Sequence, residues 1–513
     1  MECVQQMNFS TNYYIALLNL LFILTGCGWG KFAHFSPDKK YPAHVVLEDI
    51  QSAERLLKKY HPSLYWYADS ISIAKAFEKA RLSVKDSMTE PSIRNIINEA
   101  VSVLHCGHTS VRHSKTYSRY LTWKPASGFP LGVKITDDST LVVVTNFNAR
   151  DSLITRGTVI HDINGRSSKN IIDSLFPLVP VDGYSKNFSH QLLTNNFGRF
   201  YNSRFPYDSV YYIKFTDSSG KINTVKRTYY NRLSDTAKLV MSFRSAKKIK
   251  PPGKLVKKEM VRSFLMDTVN NTAFLRLNTF SNDISKKYIR RQFKKLRDNH
   301  IDYLTLDLRN NGGGLVSRSL LLAKLIHQKP FRYIDSVITP LKKLKSPDPS
   351  EGRITKRFWI NIAMKLLNKK HNHLYHFQLF AGKNFKPHRK GFTGKVYILT
   401  GGFSFSATSM FLASVKGLPN VVIVGEESGG AAYGNNGIFI PDVILPHTHL
   451  RLRLPLYRII NNHLLPDNGR GVMPDVEVKA DAASIRLNKD VKVIKAEDLI
   501  KEDIQNKAKS VNP

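Results

Sequence analysis

Apolar positions along the chain change period three times. Tyr13 to Thr25 (YYIALLNLLFILT) is a run of 13 residues interrupted only by Asn19. A bilayer span needs about 20 apolar residues, so this run predicts the core of a secretory signal. It ends in Leu24-Thr25-Gly26-Cys27. Residues 28–44 are polar, with Pro37 and Pro42, and predict a tether. The period then becomes three to four. Leu47, Ile50, Ala53 and Leu57 predict a helix that stops at His61-Pro62, because the residue before proline is pushed out of the helical region. Ile93, Ile96, Ile97, Ala100, Val101 and Leu104 predict another, ending at Cys106-Gly107-His108-Thr109. Residues 45–115 are therefore expected to form a helical domain that brings a histidine to a helix end.

From Gly128 the period shortens to that of strands. Leu131–Ile135 alternates, Leu141–Val144 is β-branched and apolar, and 157–165 runs as a strand into an Asn164-Gly165 turn. A helix over 168–175 and strands over 209–215 and 223–229 complete a unit at 125–244. It resembles a PDZ-like module, whose groove captures extended peptides. Residues 245–258 are a basic Pro-Gly linker. Strands then alternate with helices across 259–480: 272–277, the helical stripe Ile284-Tyr288-Ile289-Phe293-Leu296, the apolar strand 303–308, then 396–400, 406–416 and 421–424. That alternation predicts an α/β domain, interrupted by a basic insertion at 329–392. Residues 481–513 are expected to be a C-terminal tail.

Composition adds the charge. With 77 Lys and Arg against 40 Asp and Glu, the 513-residue chain carries +37. Such a surplus favours an anionic surface. No zinc-finger spacing, no basic helix running into heptads and no RNA-binding sheet motif accompanies it, so no nucleic-acid partner is expected. Three cysteines, at 3, 27 and 106, make no disulfide framework. His371, His373, His376 and His388 lie in the insertion without Cys or carboxylate at ligand spacing. They predict a solvated basic loop rather than a metal site. No cofactor is expected.

Three segments carry candidate chemistry. Asp307-Leu308-Arg309-Asn310-Asn311-Gly312-Gly313-Gly314 follows a buried strand, and its glycines let backbone N–H groups approach a ligand. No Lys-Ser/Thr follows, which argues against a phosphate loop. Gly401-Gly402-Phe403-Ser404-Phe405-Ser406-Ala407 follows another strand and opens a helix, at the sheet end where ligands of α/β folds bind. Ser404 is the helix-cap candidate and Ser406 the candidate nucleophile. A serine needs a base to take its proton, and the histidine of Cys106-Gly107-His108 is of the right chemical type.

Together these segments resemble the serine peptidases of the C-terminal (tail-specific) processing type. The branch is the one related to the tricorn protease core and to interphotoreceptor retinoid-binding protein modules. His61-Pro62-Ser63-Leu64-Tyr65, Phe405-Ser406-Ala407-Thr408, Gly425-Glu426-Glu427-Ser428-Gly429-Gly430 and Gly471-Val472-Met473-Pro474-Asp475-Val476 belong to the same ordered set, so the resemblance covers about residues 45–480. It implies a multidomain α/β fold: a helical N-terminal domain, a PDZ-like β domain, and a catalytic domain of the ClpP/crotonase-like type at 259–480. It implies Ser406 as nucleophile, with the backbone of Gly313 and Ala407 as oxyanion hole. The lysine base of the processing branch would fall at Ala431, so the Ser-Lys dyad is absent. His108 matches the histidine of the tricorn-like branch. Glu426 and Asp467 are the candidates for the acid that orients it. Gly107 and Cys106 depart from the polar and acidic residues of relatives.

Leu24-Thr25-Gly26-Cys27 likewise resembles a bacterial lipobox, although residues 1–12 hold no Lys or Arg. With residues 1–27 as signal, Cys27 would be lipidated and the protein exported, anchored to a membrane and facing the periplasm or cell exterior. The anchor and the positive charge would together hold it to an anionic membrane surface. The expected function is a serine endopeptidase acting on protein or peptide substrates. The alternative is a non-catalytic lipoprotein that binds peptides or apolar ligands on the same scaffold.

Overall fold

The computed structural model describes residues 35–511, except 124–127, 137–138, 149–150, 206–207, 218, 231–259, 380 and 462–464. The signal segment with Cys27 and the linker 245–258 lie outside the described residues. Lys40–Tyr41, expected in the tether, pairs with Met88–Thr89. The helix Ala43–Tyr60 follows at once and buries Val46, Ile50, Ala53, Leu56 and Leu57. Leu47, expected inward, is 37% exposed; the buried stripe is turned by one residue onto Val46. The helix Glu90–Ser102 begins with a proline in its first turn and buries Ile93, Ile97, Ala100 and Val101. Just beyond it His105 adopts φ +48°, a left-handed turn that ends helical propagation. The chain then runs through His108 into the strand Ser110–Arg112. That strand pairs with Arg451–Arg453, next to Asp442–Ile444 and Arg353–Ile354. Backbone bonds thus tie the histidine segment to the C-terminal half of the protein.

The middle unit is an antiparallel sheet in the order Leu131–Ile135, Leu141–Asn146, Val159–Ile163, Val210–Thr216, Ile222–Thr228. Its inward residues, including Leu131, Val133, Ile160, Ile163, Tyr211 and Ile213, form a core of their own. The helix Ser168–Leu175 lies where the sequence predicts it. A second helix, Asn187–Arg204, was not expected. It buries Leu193, Phe197 and Tyr201 at spacing four and carries a non-helical Asn196.

The third unit is built on a six-stranded sheet in the order Arg262–Asp267, Thr272–Leu277, Tyr303–Asp307, Lys395–Thr400, Val421–Gly425, Val476–Glu477, parallel after its first pair. Every residue of Tyr303–Asp307 is buried, so both faces need cover. Leu304, Leu306 and Ile398 pack in one core with Ile289, Phe293 and Met410 of the helices Lys286–Asp298 and Ala407–Val415. Tyr303, Tyr397, Leu399 and Val424 pack against Ala496 and Ile500. Those two residues belong to the helix Val491–Val511, which with Ala482–Arg486 replaces the expected tail.

The basic insertion is likewise not a loop. Its strands Ser336–Thr339, Asn368–His371 and Leu374–Phe377 join Tyr457–Ile460 and Gly434–Ile438 in a second sheet. Gly434–Ile438 forms one edge of that sheet. Among the described residues no group of three or more His, Cys, Asp or Glu could hold a metal ion, and no helix is long and apolar enough to cross a membrane.

Candidate active site

Ser406 stands between the strand Lys395–Thr400 and the helix Ala407–Val415 with φ +57° and ψ −122°. This region is strained for a residue with a side chain, at a cost of order 1–3 kcal/mol, and such outliers concentrate at functional sites. The Ser406 side chain does not cap the helix. Nor does Ser404, the expected cap: its Oγ accepts from Gly401 N–H at 3.2 Å and donates to Leu308 O at 2.9 Å. Ser404 instead ties the serine turn to the end of the neighbouring strand. Ser406 Oγ is left 3.1 Å from His108 Nε2.

His108 is 7% exposed and stacks on Phe405, ring centroids 5.0 Å apart. Its Nδ1 faces Asp182 Oδ2 at 3.4 Å, and neither atom makes a hydrogen bond among the described residues. Such contacts are often long before substrate arrives. Asp182, 2% exposed, was not singled out in the sequence. It lies just ahead of the helix Asn187–Arg204, and the residues after it are clamped on both sides. Gly183 N–H donates to His105 O at 2.9 Å and Tyr184 N–H to Gly469 O at 2.8 Å. Asp182 Oδ1 also accepts from Gly107 N–H at 2.7 Å. The departure at Gly107 has a steric reason: a Cβ there would lie 2.7 Å from Phe405 Cζ and 3.1 Å from Asp182 N. Gly107→Ala is expected to shift the His108 ring and to lower kcat about 10²-fold, the scale of a 1 Å misplacement. Steady-state kinetics on folded protein check this.

Both acids expected to orient the imidazole are engaged elsewhere. Glu426 pairs with Lys492, whose Nζ also donates to Thr400 O at 2.9 Å. Asp467 accepts from Trp66 Nε1 at 2.9 and 3.1 Å and pairs with Arg458 at 3.6 Å. Sequence distance gave no reason to prefer Asp182, because its segment is brought to the site only by packing and by long-range hydrogen bonds.

Of the two expected oxyanion donors, Gly313 has its N–H engaged elsewhere and Ala407 does not. Ala407 N–H opens its helix and so has no intrahelical acceptor. Gly313 packs where expected: a Cβ on it would lie 2.9 Å from Ala407 N and from Ser406 Cβ. Its N–H, however, donates to Asn311 Oδ1 at 3.0 Å, and Asn311 Nδ2 is held by Leu277 O at 3.0 Å. Another donor is nearby. Asn435, 2% exposed, accepts from Gly437 N–H at 2.8 Å through Oδ1, leaving Nδ2 buried without a partner. The point where a Gly437 Cβ would sit is 2.7 Å from Asn435 Oδ1, 3.3 Å from His108 Nε2 and 3.4 Å from Ser406 Oγ. The strand is irregular here, with a register shift between Asn435 and Ile438, a device that re-aims side chains.

A buried polar network backs the histidine segment. His61 Nε2 meets Thr109 Oγ1 at 3.0 Å, Thr109 Oγ1 donates to Cys106 Sγ, and Asn436 Nδ2 donates to the same sulfur. Ser63 Oγ closes the network on Asn436 Oδ1 at 2.7 Å. Burial pushes the Cys106 thiol up to about 12, assisted by the charge of Asp182, so it is an inert packing group. Burial lowers His61 to about 3, and His327, stacked on Phe331, to about 4. Both are neutral in the folded chain, while an unfolded histidine protonates near pH 6.5. Below that pH the unfolded state binds more protons. Their contribution to stability is therefore complete above pH 6.5 and is lost as pH falls toward 4 and 3, by up to about 1.4 kcal/mol per unit for each group. Tm measured from pH 7 to 4 should fall, with a shallower slope in His61→Gln.

A cavity of about 540 Å³ lies behind the histidine segment, lined by His105, Gly183 and Tyr184 and not by Ser406.

Residues 271–478 match the family model of peptidase family S41. Among solved structures, mature CPAF complexed with lactacystin is 15% identical, with TM-score 0.62, over 90% of this chain and 98% of its own. Mature CPAF is 14% identical, with TM-score 0.61, over 90% and 97%. A putative peptidase from Parabacteroides merdae is 14% identical, with TM-score 0.45, over 89% and 96%. At these identities the likeness to CPAF is one of fold. No curated protein matches the chain.

Proposed function

We propose, from the premise that residues 271–478 place this chain in peptidase family S41, that it hydrolyses peptide bonds through Ser406 and His108. One observation carries the reading: a strained serine whose Oγ is 3.1 Å from a histidine nitrogen, with a carboxylate facing the other nitrogen. Ser406 Oγ attacks the peptide carbonyl carbon and its proton passes to His108 Nε2. Asp182 holds Nδ1–H toward itself, keeping Nε2 free to accept, and stabilises the imidazolium that forms. The carbonyl oxygen, now an oxyanion, is met by Ala407 N–H and by Asn435 Nδ2 in place of Gly313. His108 returns the proton to the leaving amine, and the C–N bond breaks. Water, deprotonated by the same imidazole, then cleaves the acyl ester and restores Ser406.

A fluorophosphonate probe tests this. The wild-type chain should be labelled and folded Ser406→Ala should not. Folded wild type that takes no label would favour the non-catalytic binding reading. Asn435→Asp keeps the acceptor for Gly437 N–H and removes the donor. It should lower kcat by about 10²–10³ with KM little changed, the usual cost of one oxyanion donor.

We further propose that the antiparallel unit over 131–228 positions the substrate chain as a PDZ-like module does. Export with a lipid anchor at Cys27 remains a proposal resting on the apolar run 13–25 and on Leu24-Thr25-Gly26-Cys27. Intact mass of membrane-extracted protein checks it: the expected mature chain begins at acylated Cys27, and one retaining Met1 would refute the assignment.

A further inference from the structure

The helix Arg357–Leu367 (RFWINIAMKLL) leads into the second sheet and carries two apolar faces. Ile360 and Met364, four apart, are buried beneath it, 6% and 1% exposed. On the outside Phe358 is 68% exposed, Trp359 70%, Ile362 37% and Leu366 75%. Phe358, Ile362 and Leu366 repeat at spacing four, so they line one stripe, and the Trp359 ring meets that of Phe358 at 5.2 Å. Solvated helices normally present polar residues there; four large apolar side chains on about two and a half turns mark a contact surface.

The charge around the stripe selects the partner. Between residues 341 and 371 the chain has nine Lys and Arg against Asp348 and Glu351, and all nine are exposed. Glu351 is occupied by Lys59 at 3.3 Å. Lys356, Arg357 and Lys365 lie on or beside the helix itself. A second copy of the chain would bring the same positive field against itself. A nucleic acid could stack on Phe358 and Trp359 but would leave Ile362 and Leu366 unburied. A bilayer surface rich in anionic headgroups meets both requirements: acyl chains take up the aliphatic and aromatic stripe, and phosphates face the lysines.

We propose that Arg357–Leu367 lies in the interface of an anionic lipid bilayer, with Phe358, Trp359, Ile362 and Leu366 inserted among the acyl chains. This rests neither on the peptidase reading nor on a lipid at Cys27. It also fixes an arrangement. The strand Asn368–His371, which follows the helix, is one edge of the five-stranded sheet whose other edge, Gly434–Ile438, borders Ser406. Four strand spacings put the two edges about 19 Å apart. Docking would hold the serine close to the bilayer surface.

The test uses the full chain with Cys27→Ser, so that no acyl anchor contributes, and vesicles of phosphatidylcholine with or without about 30% phosphatidylglycerol, where each lysine near the surface adds attraction. The emission difference between this chain and its Trp359→Phe variant isolates Trp359. It should shift to the blue on anionic vesicles and be quenched by brominated acyl chains. Trp359→Ser with Leu366→Ser, both solvent-facing changes, should weaken binding by about tenfold or more, and added salt should weaken it further. Trp359 that stays unquenched on vesicle-bound protein overturns the proposal. So does equal affinity for neutral vesicles, displacement of vesicles from the helix by a single-stranded oligonucleotide, or a dimer that the double variant abolishes.

Discussion

Ser406→Ala and His108→Ala are each expected to lower kcat by about 10³–10⁶, and the double variant by little more than either alone. Groups that act in one proton transfer lose their value together, so their effects do not add. The 3.1 Å contact between Ser406 Oγ and His108 Nε2 makes the two a unit, and Ala431, buried and without a group that can accept a proton, offers no lysine-like substitute. Turnover of a fluorogenic peptide by the four proteins of the cycle, each shown folded by its thermal transition, measures the coupling. Near-wild-type turnover of His108→Ala beside an inactive Ser406→Ala would mean that another group is the base.

Asp182→Asn is expected to lower kcat by up to about 10⁴ with KM changed only a few-fold. An amide can no longer select the tautomer with Nδ1–H toward it, nor stabilise the imidazolium, although it fills the same space. Glu426→Gln and Asp467→Asn serve as the comparison. Each acid is engaged by a cation away from His108, so each variant should change kcat by less than about tenfold. If either costs more than Asp182→Asn, the orienting acid has been misassigned. The experiment is informative because Asp182 belongs to the middle unit: it asks whether that unit completes the chemistry or only presents substrate.

The periodicity of the chain carried much of the architecture. The helices ending at Tyr60 and Ser102, the strand Tyr303–Asp307 and the helix opening at Ala407 are local features. Apolar spacing, proline and glycine act within a few residues and so are visible in sequence. The helix Asn187–Arg204 escaped because Asn195, Asn196 and Gly198 dilute the signal of Leu193, Phe197 and Tyr201. Tertiary burial of those three holds it. The helix Val491–Val511 escaped for a related reason: its apolar residues gain nothing until they meet the far face of the sheet at Tyr397 and Val424.

The candidate site divides the same way. Ser406 and His108 were legible because each sits at a junction that the sequence marks, a strand-to-glycine turn and a helix end. The resemblance of their flanking motifs supplied the roles. Asp182 and Asn435 were not legible, and Gly313 was read with a free N–H that Asn311 in fact engages. A carboxylate or an amide acquires its function from what it faces. Asp182 faces His108 only because Gly183 and Tyr184 are held by His105 and Gly469, residues far from it in the chain. Asn435 reaches the site only through an irregular strand paired with Tyr457–Ile460. The sequence by itself determined most of the elements, since those follow from local pattern, and with the resemblance of the flanking motifs it named the candidate pair Ser406 and His108. Tertiary structure alone decided which polar groups stand beside that pair, because burial and long-range backbone pairing set their distances and leave no periodic trace.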